Sequence, residues 1–335
     1  MSEQFVEVDT PAIGQGNGLK SEKKQRPPYR PIAGLLRQGH VVPFLGSGVN
    51  MVQRPDAKAK FDHDKSEFLP NGQELASWLA AKCKFPSQEV TDLSDLAKVA
   101  SYYVDIHGRP VLFEELRGIF HKNYDPTGLH TYLAEVASAK PLLIVTTNYD
   151  VMTEKAFDDK GVPYHLVIHQ TERKDKLGSV LWWKPGEASA INIVPNQLNI
   201  DLKSASVIYK MHGTVDRSLN DQDSYVITED DYVDFLTLMT KKAAVPKQFI
   251  RHFNERQFLF LGYALRDWNL RLVLRQVTAE AALANRRSWA IQVDPSALDQ
   301  ALWSKRSVTI YDVAMDEFMR ELRAADAALL AAATT

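Results

Sequence analysis

The sequence predicts a doubly wound parallel α/β sheet with a helical insertion. Nearly unbroken apolar runs stand at 41–45, 142–145, 207–211, 258–261 and 289–293, as expected of strands covered by helices on both faces. Segments with helical spacing separate them, which is the alternation of a parallel sheet. The first four runs lead into a glycine or a polar residue, Gly46, Thr146, His212 and Gly262. Such ends put close backbone approaches and hydrogen-bonding side chains at the carboxyl edge, where open α/β sheets bind ligands.

At 335 residues the chain can bury a sizeable core, as two compact units or as one α/β domain with a subdomain. Its 45% hydrophobic and 24% charged residues are those of an ordinary globular protein, and a formal net charge of −2 exerts no global pull on nucleic acid. A single cysteine, Cys83, excludes internal disulfides and any zinc site built from several thiolates, and fits a reducing cytosol. No apolar run approaches the roughly 18–20 residues of a membrane span, and the polar N-terminus lacks a signal-peptide core. A cytoplasmic location is expected.

Residues 1–30 hold few large apolar side chains, several glycines and the basic, proline-bearing stretch from Lys20 to Arg30. They cannot bury enough surface to offset their ordering entropy and read as a flexible arm, either a solvated tail or a docking peptide. The main domain is expected over 31–330. Ile32 to Gln38 has a short helical pattern that Gly39 stops. The strand Val41 to Leu45 then enters Gly46-Ser47-Gly48-Val49, which reads either as an ordinary tight turn or as backbone amides offered to a phosphate at the next helix start. Beyond Asn50, a polar segment with Arg54-Pro55 and Asp62-His63-Asp64 reads as a loop over that turn. A metal at His63 would need a ligand cluster that the neighbouring sequence lacks.

A helical insertion is expected over about 60–130. Within it Leu96, Val99, Ala100 and Tyr103 share one helix face, and Arg109-Pro110 separates two helices because proline suits a helix start. Another helix runs from His130 to Val136, closed by Lys140-Pro141.

Leu142 to Val145 is the second buried strand. Thr147, Asn148 and Asp150 leave its polar end into the crevice, although Asp150 fits equally well as a cap for a helix over Val151 to Phe157. Tyr164 to His169 reads as a strand, and 171–203 as a hairpin or an irregular insertion. Its paired Trp182 and Trp183 suit core packing or stacking on a base. The strand from Val207 delivers His212 and Gly213 to the edge, the glycine allowing backbone to come close to a ligand. Thr228-Glu229-Asp230-Asp231 has the hydroxyl cap and first-turn acids of a helix start. Phe258 to Leu261 leads into Gly262-Tyr263, a helix is expected over Asp267 to Val277, and strands over Trp289 to Val293 and Val308 to Tyr311. A terminal helix begins at Met315.

Two nucleotide fingerprints do not fit. A dinucleotide-binding turn needs a third glycine where Met51 stands, and a Walker loop needs Gly-Lys-Ser/Thr. The four elements Phe44 to Val49, Thr147 to Asp150, Lys210 to Gly213 and Leu261 to Asp267 occur in this order, each at a strand end. Together they resemble the SIR2 (sirtuin) superfamily, most of all the SIR2-like domains of bacterial antiphage-defence proteins. The resemblance runs from about Leu35 to Phe318 and implies a Rossmann-like sheet.

It also implies NAD+ as substrate, without a metal. The family roles fall on Gly46, Ser47, Gly48 and the adjoining Val49 for the pyrophosphate, and on Asn148, beside Thr147, for orienting water or the nicotinamide ribose. His212 takes the role of base towards the ribose hydroxyls, and Asp150 lies near the nicotinamide. Gly262 and Tyr263 border the adenine side, and Asp294 falls near the adenosine ribose. Protein-deacylating sirtuins carry a zinc module on four cysteines, which one cysteine cannot build. The expected reaction is therefore cleavage of the nicotinamide N-glycosidic bond by water, giving ADP-ribose and nicotinamide, in a defence effector that depletes NAD+. The alternatives are a non-catalytic module sensing NAD or ADP-ribose and, third, an NAD-dependent protein deacylase. The resemblance further implies a homo-oligomer and an activating partner chain, a HerA-type ATPase or a short Argonaute; the charge balance and the length of the apolar runs predict no direct nucleic-acid binding and no membrane association.

Overall fold

The computed structural model describes residues 25–52, 54, 56, 59–171, 178–215, 223–240, 245–263 and 287–333. Most of the expected arm and the helix expected over 267–277 lie outside these residues. Helix α1 (Tyr29–Arg37) begins inside the stretch expected to be a flexible arm. The reason is a distant partner: the Tyr29 ring packs on Phe318 with centroids 5.6 Å apart. Gly39, at φ +70°, ends the helix, and the His40 N–H returns to the Leu35 carbonyl at 2.9 Å.

Strand β1 (Val41–Leu45) comes next, then the helices α2 (Gly72–Lys82), α3 (Val90–Leu93), α4 (Leu96–His107), α5 (Arg109–Phe120) and α6 (Gly128–Ala139). The chain continues through β2 (Leu143–Thr146), α7 (Met152–Asp159), β3 (Tyr164–His169), β4 (Val180–Trp183), β5 (Ile191–Ile193) and β6 (Ser206–Lys210). After these stand the short β7 (Gly213–Thr214) and β8 (Ser224–Tyr225), α8 (Glu229–Thr240), α9 (Lys247–Glu255) and β9 (Gln257–Leu261). The last elements are β10 (Ser288–Gln292), α10 (Ala297–Ser304), β11 (Val308–Asp312) and α11 (Met315–Ala333). Among the described residues no helix is long and apolar enough to cross a membrane.

A nine-stranded sheet has the order β11-β10-β9-β1-β2-β6-β3-β4-β5. It is parallel from β11 to β3 and antiparallel where β4 and β5 extend one edge. The segment 171–203 is thus a hairpin over its described part. Trp182 serves the core, its indole N–H donating to His165 Nδ1 at 3.1 Å.

Alternate residues of each central strand serve opposite faces, which is why the runs are unbroken. Val42, Phe44, Val145, Tyr209 and Phe260 meet Phe235, Phe249 and Trp303 of α8, α9 and α10. Val41, Leu45, Ile144, Ile208 and Leu261 meet Leu36, Leu133, Phe157 and Phe318 of α1, α6, α7 and α11. The chain moves from β1 to β2 on one side and later builds β9, β10 and β11 on the other. The winding therefore reverses beside β1, the position at which such sheets open a crevice.

Helices α2, α4 and α5 share a separate apolar cluster that includes Leu79, Val99 and Leu116 and closes on Tyr149, Met152 and Tyr225. This helical layer stands over the carboxyl edge next to β2. Glu74 and Asn71 form a reciprocal capping box at the start of α2. Glu74 also receives both terminal nitrogens of Arg54 at 2.8 Å, which fastens the loop after β1. Gly108, at φ +85°, and Pro110 separate α4 from α5 at the break the proline predicts.

Candidate active site

Parallel register sets Leu45, Thr146, Lys210 and Leu261 at one level, so the segments after them leave the sheet side by side. Gly46 N–H donates to the Leu261 carbonyl and Gly48 N–H to the Gly262 carbonyl, each at 2.9 Å. A Cβ on Gly46 would stand 2.7 Å from the Gly262 oxygen, and one on Gly48 2.8 Å from the Gly262 Cα. Glycine is required at both places because two backbones touch there. Val49 N–H turns back to the Gly46 carbonyl at 3.1 Å, within a five-residue 3-10 turn, Ser47–Met51. The helix that starts here is a short 3-10 turn, and the amides of Gly46, Gly48 and Val49 are satisfied within the chain. Ser47 Oγ accepts from the Gly72 N–H at 3.2 Å and ties the turn to α2.

The loop after β2 lies against this turn. Thr147 donates its N–H to the Leu45 carbonyl at 3.2 Å, and its hydroxyl oxygen accepts from the Tyr263 hydroxyl. Asn148 is buried; its N–H donates to Thr146 Oγ1 at 3.0 Å and its side-chain amide to the Gly46 carbonyl at 3.2 Å. Asp150, also buried, accepts the Met152 N–H at the start of α7 at 3.0 Å and the Asn50 amide at 2.8 Å, while the N-cap position itself is Val151. Asn50 was not singled out by sequence, although it stands in the same turn as Gly46. The structure therefore brings together Gly46, Ser47, Gly48, Val49, Thr147, Asn148, Asp150, Gly262 and Tyr263.

His212 leaves the edge one strand further on. The Met211 N–H donates to the Thr146 carbonyl at 2.9 Å, and the Val215 N–H to the Tyr149 carbonyl at 3.0 Å, so its loop is bound to the one carrying Asn148. The imidazole packs edge-on against Tyr232 and Phe235, at 5.4 and 5.5 Å. Burial, with a smaller contribution from His169, pushes its pKa down to about 3. The ring is neutral and keeps a lone pair at physiological pH. Gly213 has a different reason from the expected one. At φ +85° its Cβ position lies 1.8 Å from the Ser224 carbonyl oxygen, so the close backbone is β8 rather than a ligand. Thr228 and Asp231 exchange side-chain and backbone hydrogen bonds at the start of α8, as their spacing predicts.

Asp294 is not brought to this cluster. It is exposed after β10, two strands from β1, at φ +50°, with its N–H on Asp312 Oδ1 at 3.0 Å. A cavity of about 510 Å³ lies beyond Asn50, lined also by Arg54, Lys122, Tyr124, Thr127 and Met152. Its size suits a small organic ligand. Among the described residues no group of three or more His, Cys, Asp or Glu side chains is placed to hold a metal ion.

NAD(+) hydrolase ThsA of Acinetobacter baumannii (strain 532279) is 30% identical over 223 residues, covering 66% of this chain and 38% of that protein. NAD(+) hydrolase ThsA of Enterococcus faecium is 25% identical over 246 residues, covering 72% of this chain and 41% of that protein. The chain thus spans about two fifths of the length of the curated relatives it matches. A solved structure described as "Structural Basis for the Mechanism and Regulation of Sir2 Enzymes" aligns over 92% of this chain and 100% of its own, at a TM-score of 0.44 and 10% identity. The family model of the SIR2-like domain matches residues 142–311. That stretch is half of the chain and takes in the Asn148 loop, His212 and the Gly262 turn, so the chain belongs to the SIR2-like domain family.

Proposed function

We propose that the chain is an NAD+ glycohydrolase that cleaves the nicotinamide N-glycosidic bond to give nicotinamide and ADP-ribose. The observation that carries this reading is the junction where the winding reverses. There the Asn148 amide reaches the Gly46 carbonyl at 3.2 Å, joining the loop after β2 to the glycine turn after β1, with His212 at the next strand end. The names of the two ThsA relatives, both NAD(+) hydrolases, support it at the level of the family.

The reaction asks little of a general acid. Nicotinamide departs from a pyridinium: the C1′–N bond breaks and its electron pair neutralises the ring nitrogen. Water then bonds through oxygen to the ribosyl oxocarbenium and gives up a proton. Asn148 offers a donor and an acceptor for holding that water, and neutral His212 a lone pair for the proton. A weak base suffices, because the electrophile supplies the driving force. The cavity lined by Asn50 and Met152 has room for the leaving ring. In this reading the protein depletes NAD+ as a defence effector, is a homo-oligomer, and is switched on by a partner chain of the HerA-type ATPase or short Argonaute class.

A second reading, a module that senses NAD or ADP-ribose without turnover, is favoured by one observation: His212 is buried and packed edge-on against Tyr232 and Phe235. Purified protein with NAD+, alone and with the product of the neighbouring gene, is expected to release nicotinamide and ADP-ribose. Asn148→Ala and His212→Ala are each expected to lower the rate by about 100-fold or more. Saturable NAD+ binding in calorimetry with no product would select the sensing module, and turnover surviving both substitutions would remove the residue assignment.

A further inference from the structure

We propose that Lys210 is a positioning residue that sets the Asn148 loop relative to His212, an inference that rests on the hydrolase reading for its catalytic meaning. Lys210 is the last residue of β6, two before His212. Its side chain is 0% exposed and its Nζ lies 2.9 Å from Oε1 of Glu154, itself 5% exposed, in the first turn of α7. The same Nζ donates to the carbonyls of Asp150 and Tyr149, the latter at 3.4 Å. An ammonium group has three donors, and all three have acceptors here. One side chain on the His212 strand thus holds the backbone one and two residues past Asn148.

Stability alone does not account for a charge pair in this place. Apolar residues of similar volume commonly replace a buried ion pair at no loss, whereas removing one partner strands a charge. What an apolar pair cannot do is grip two carbonyls. Nearby, Glu154 Oε2, Asn50 Oδ1 and His130 Nε2 are buried and have no hydrogen-bond partner among the described residues. The Asp150 carbonyl takes its hydrogen bond from Lys210, whereas the Tyr149 carbonyl shares Lys210 with the Val215 N–H at 3.0 Å and the Thr214 hydroxyl at 3.3 Å, so the grip of Lys210 on the loop falls chiefly on Asp150.

The test compares Lys210→Met, which strands Glu154, with Lys210→Met/Glu154→Met, which removes the whole pair. Hydrogen exchange is followed in the segment 146–154, together with thermal unfolding and nicotinamide release from NAD+. The double variant is expected to unfold within about 3 °C of wild type, yet to exchange its 147–152 amides about 10-fold faster or more. Its kcat is expected to fall about 10-fold or more while KM stays within about threefold. Wild-type exchange in the double variant, or a wild-type kcat, would overturn the proposal. A wild-type protein that releases no nicotinamide even with its activating partner chain present would instead sink the hydrolase reading, and the exchange rates would still decide whether Lys210 fixes the loop.

Discussion

At Gly213 a methyl group would stand 1.8 Å from the Ser224 carbonyl oxygen, on a backbone held at φ +85°. Gly213→Ala is therefore expected to cost about 3 kcal/mol or more, read as a lower urea midpoint, because both the left-handed backbone and the β7–β8 contact must change. An unchanged midpoint would show that β8 does not close on β7. His212 illustrates the limits of a single letter. Its place at a strand end was legible, since a buried strand running into His-Gly can point only to the edge. Its neutral state was not, because that depends on Tyr232 and Phe235 on a helix that begins far along the chain. Lys210 was equally hidden: a lysine at the end of an apolar run reads as solvated until the Glu154 carboxylate is found beneath it.

Glu74 gathers several elements into one contact. It caps α2 through Asn71, takes the Phe61 N–H at 3.1 Å, and holds Arg54, whose side chain is only 2% exposed. Glu74→Ala is expected to cost about 3 kcal/mol, since it removes the carboxylate half of the capping box and takes the counter-charge from buried Arg54, which keeps the Ala59 and Leu69 carbonyls. It should also admit protease to 59–69 faster than in wild type, and an equal cleavage rate would deny Glu74 its role in the loop. At this scale the long central strands were readable because two covered faces demand an unbroken apolar run. Pro43 did not mislead, although proline is unusual inside a strand paired on both sides. The edge strands β4 and β5 were not legible, because strands of four and three residues, with Ile191 46% exposed, carry too little pattern. The glycine turn was located correctly, yet its amides close on β9, a pairing that no local spacing records.

The whole molecule carries an acid-sensitive core. Burial pushes His130 and His169 down to about 4 and His212 to about 3. Each folded value lies below the unfolded value near 6.5, so protonation favours the unfolded chain. The stabilisation from keeping these rings neutral is complete above pH 6.5 and is lost as pH falls from there towards 4. About 2 kcal/mol per ring is expected to be gone by pH 5. Unfolding followed by circular dichroism from pH 8 to 5 should show a flat upper limb and a falling lower one, and His169→Leu should make the fall shallower by one proton. A flat profile down to pH 5 would contradict the burial of these rings. Loops from β1, β2, β6 and β9 meet where the winding reverses, the place proposed for NAD+ cleavage. Single-turnover release of nicotinamide, measured for wild type and Asn148→Ala at equal folded concentration, tests it most directly. Release by wild type with a loss of about 100-fold or more in the variant is the result expected, and equal release by the two proteins would contradict the account.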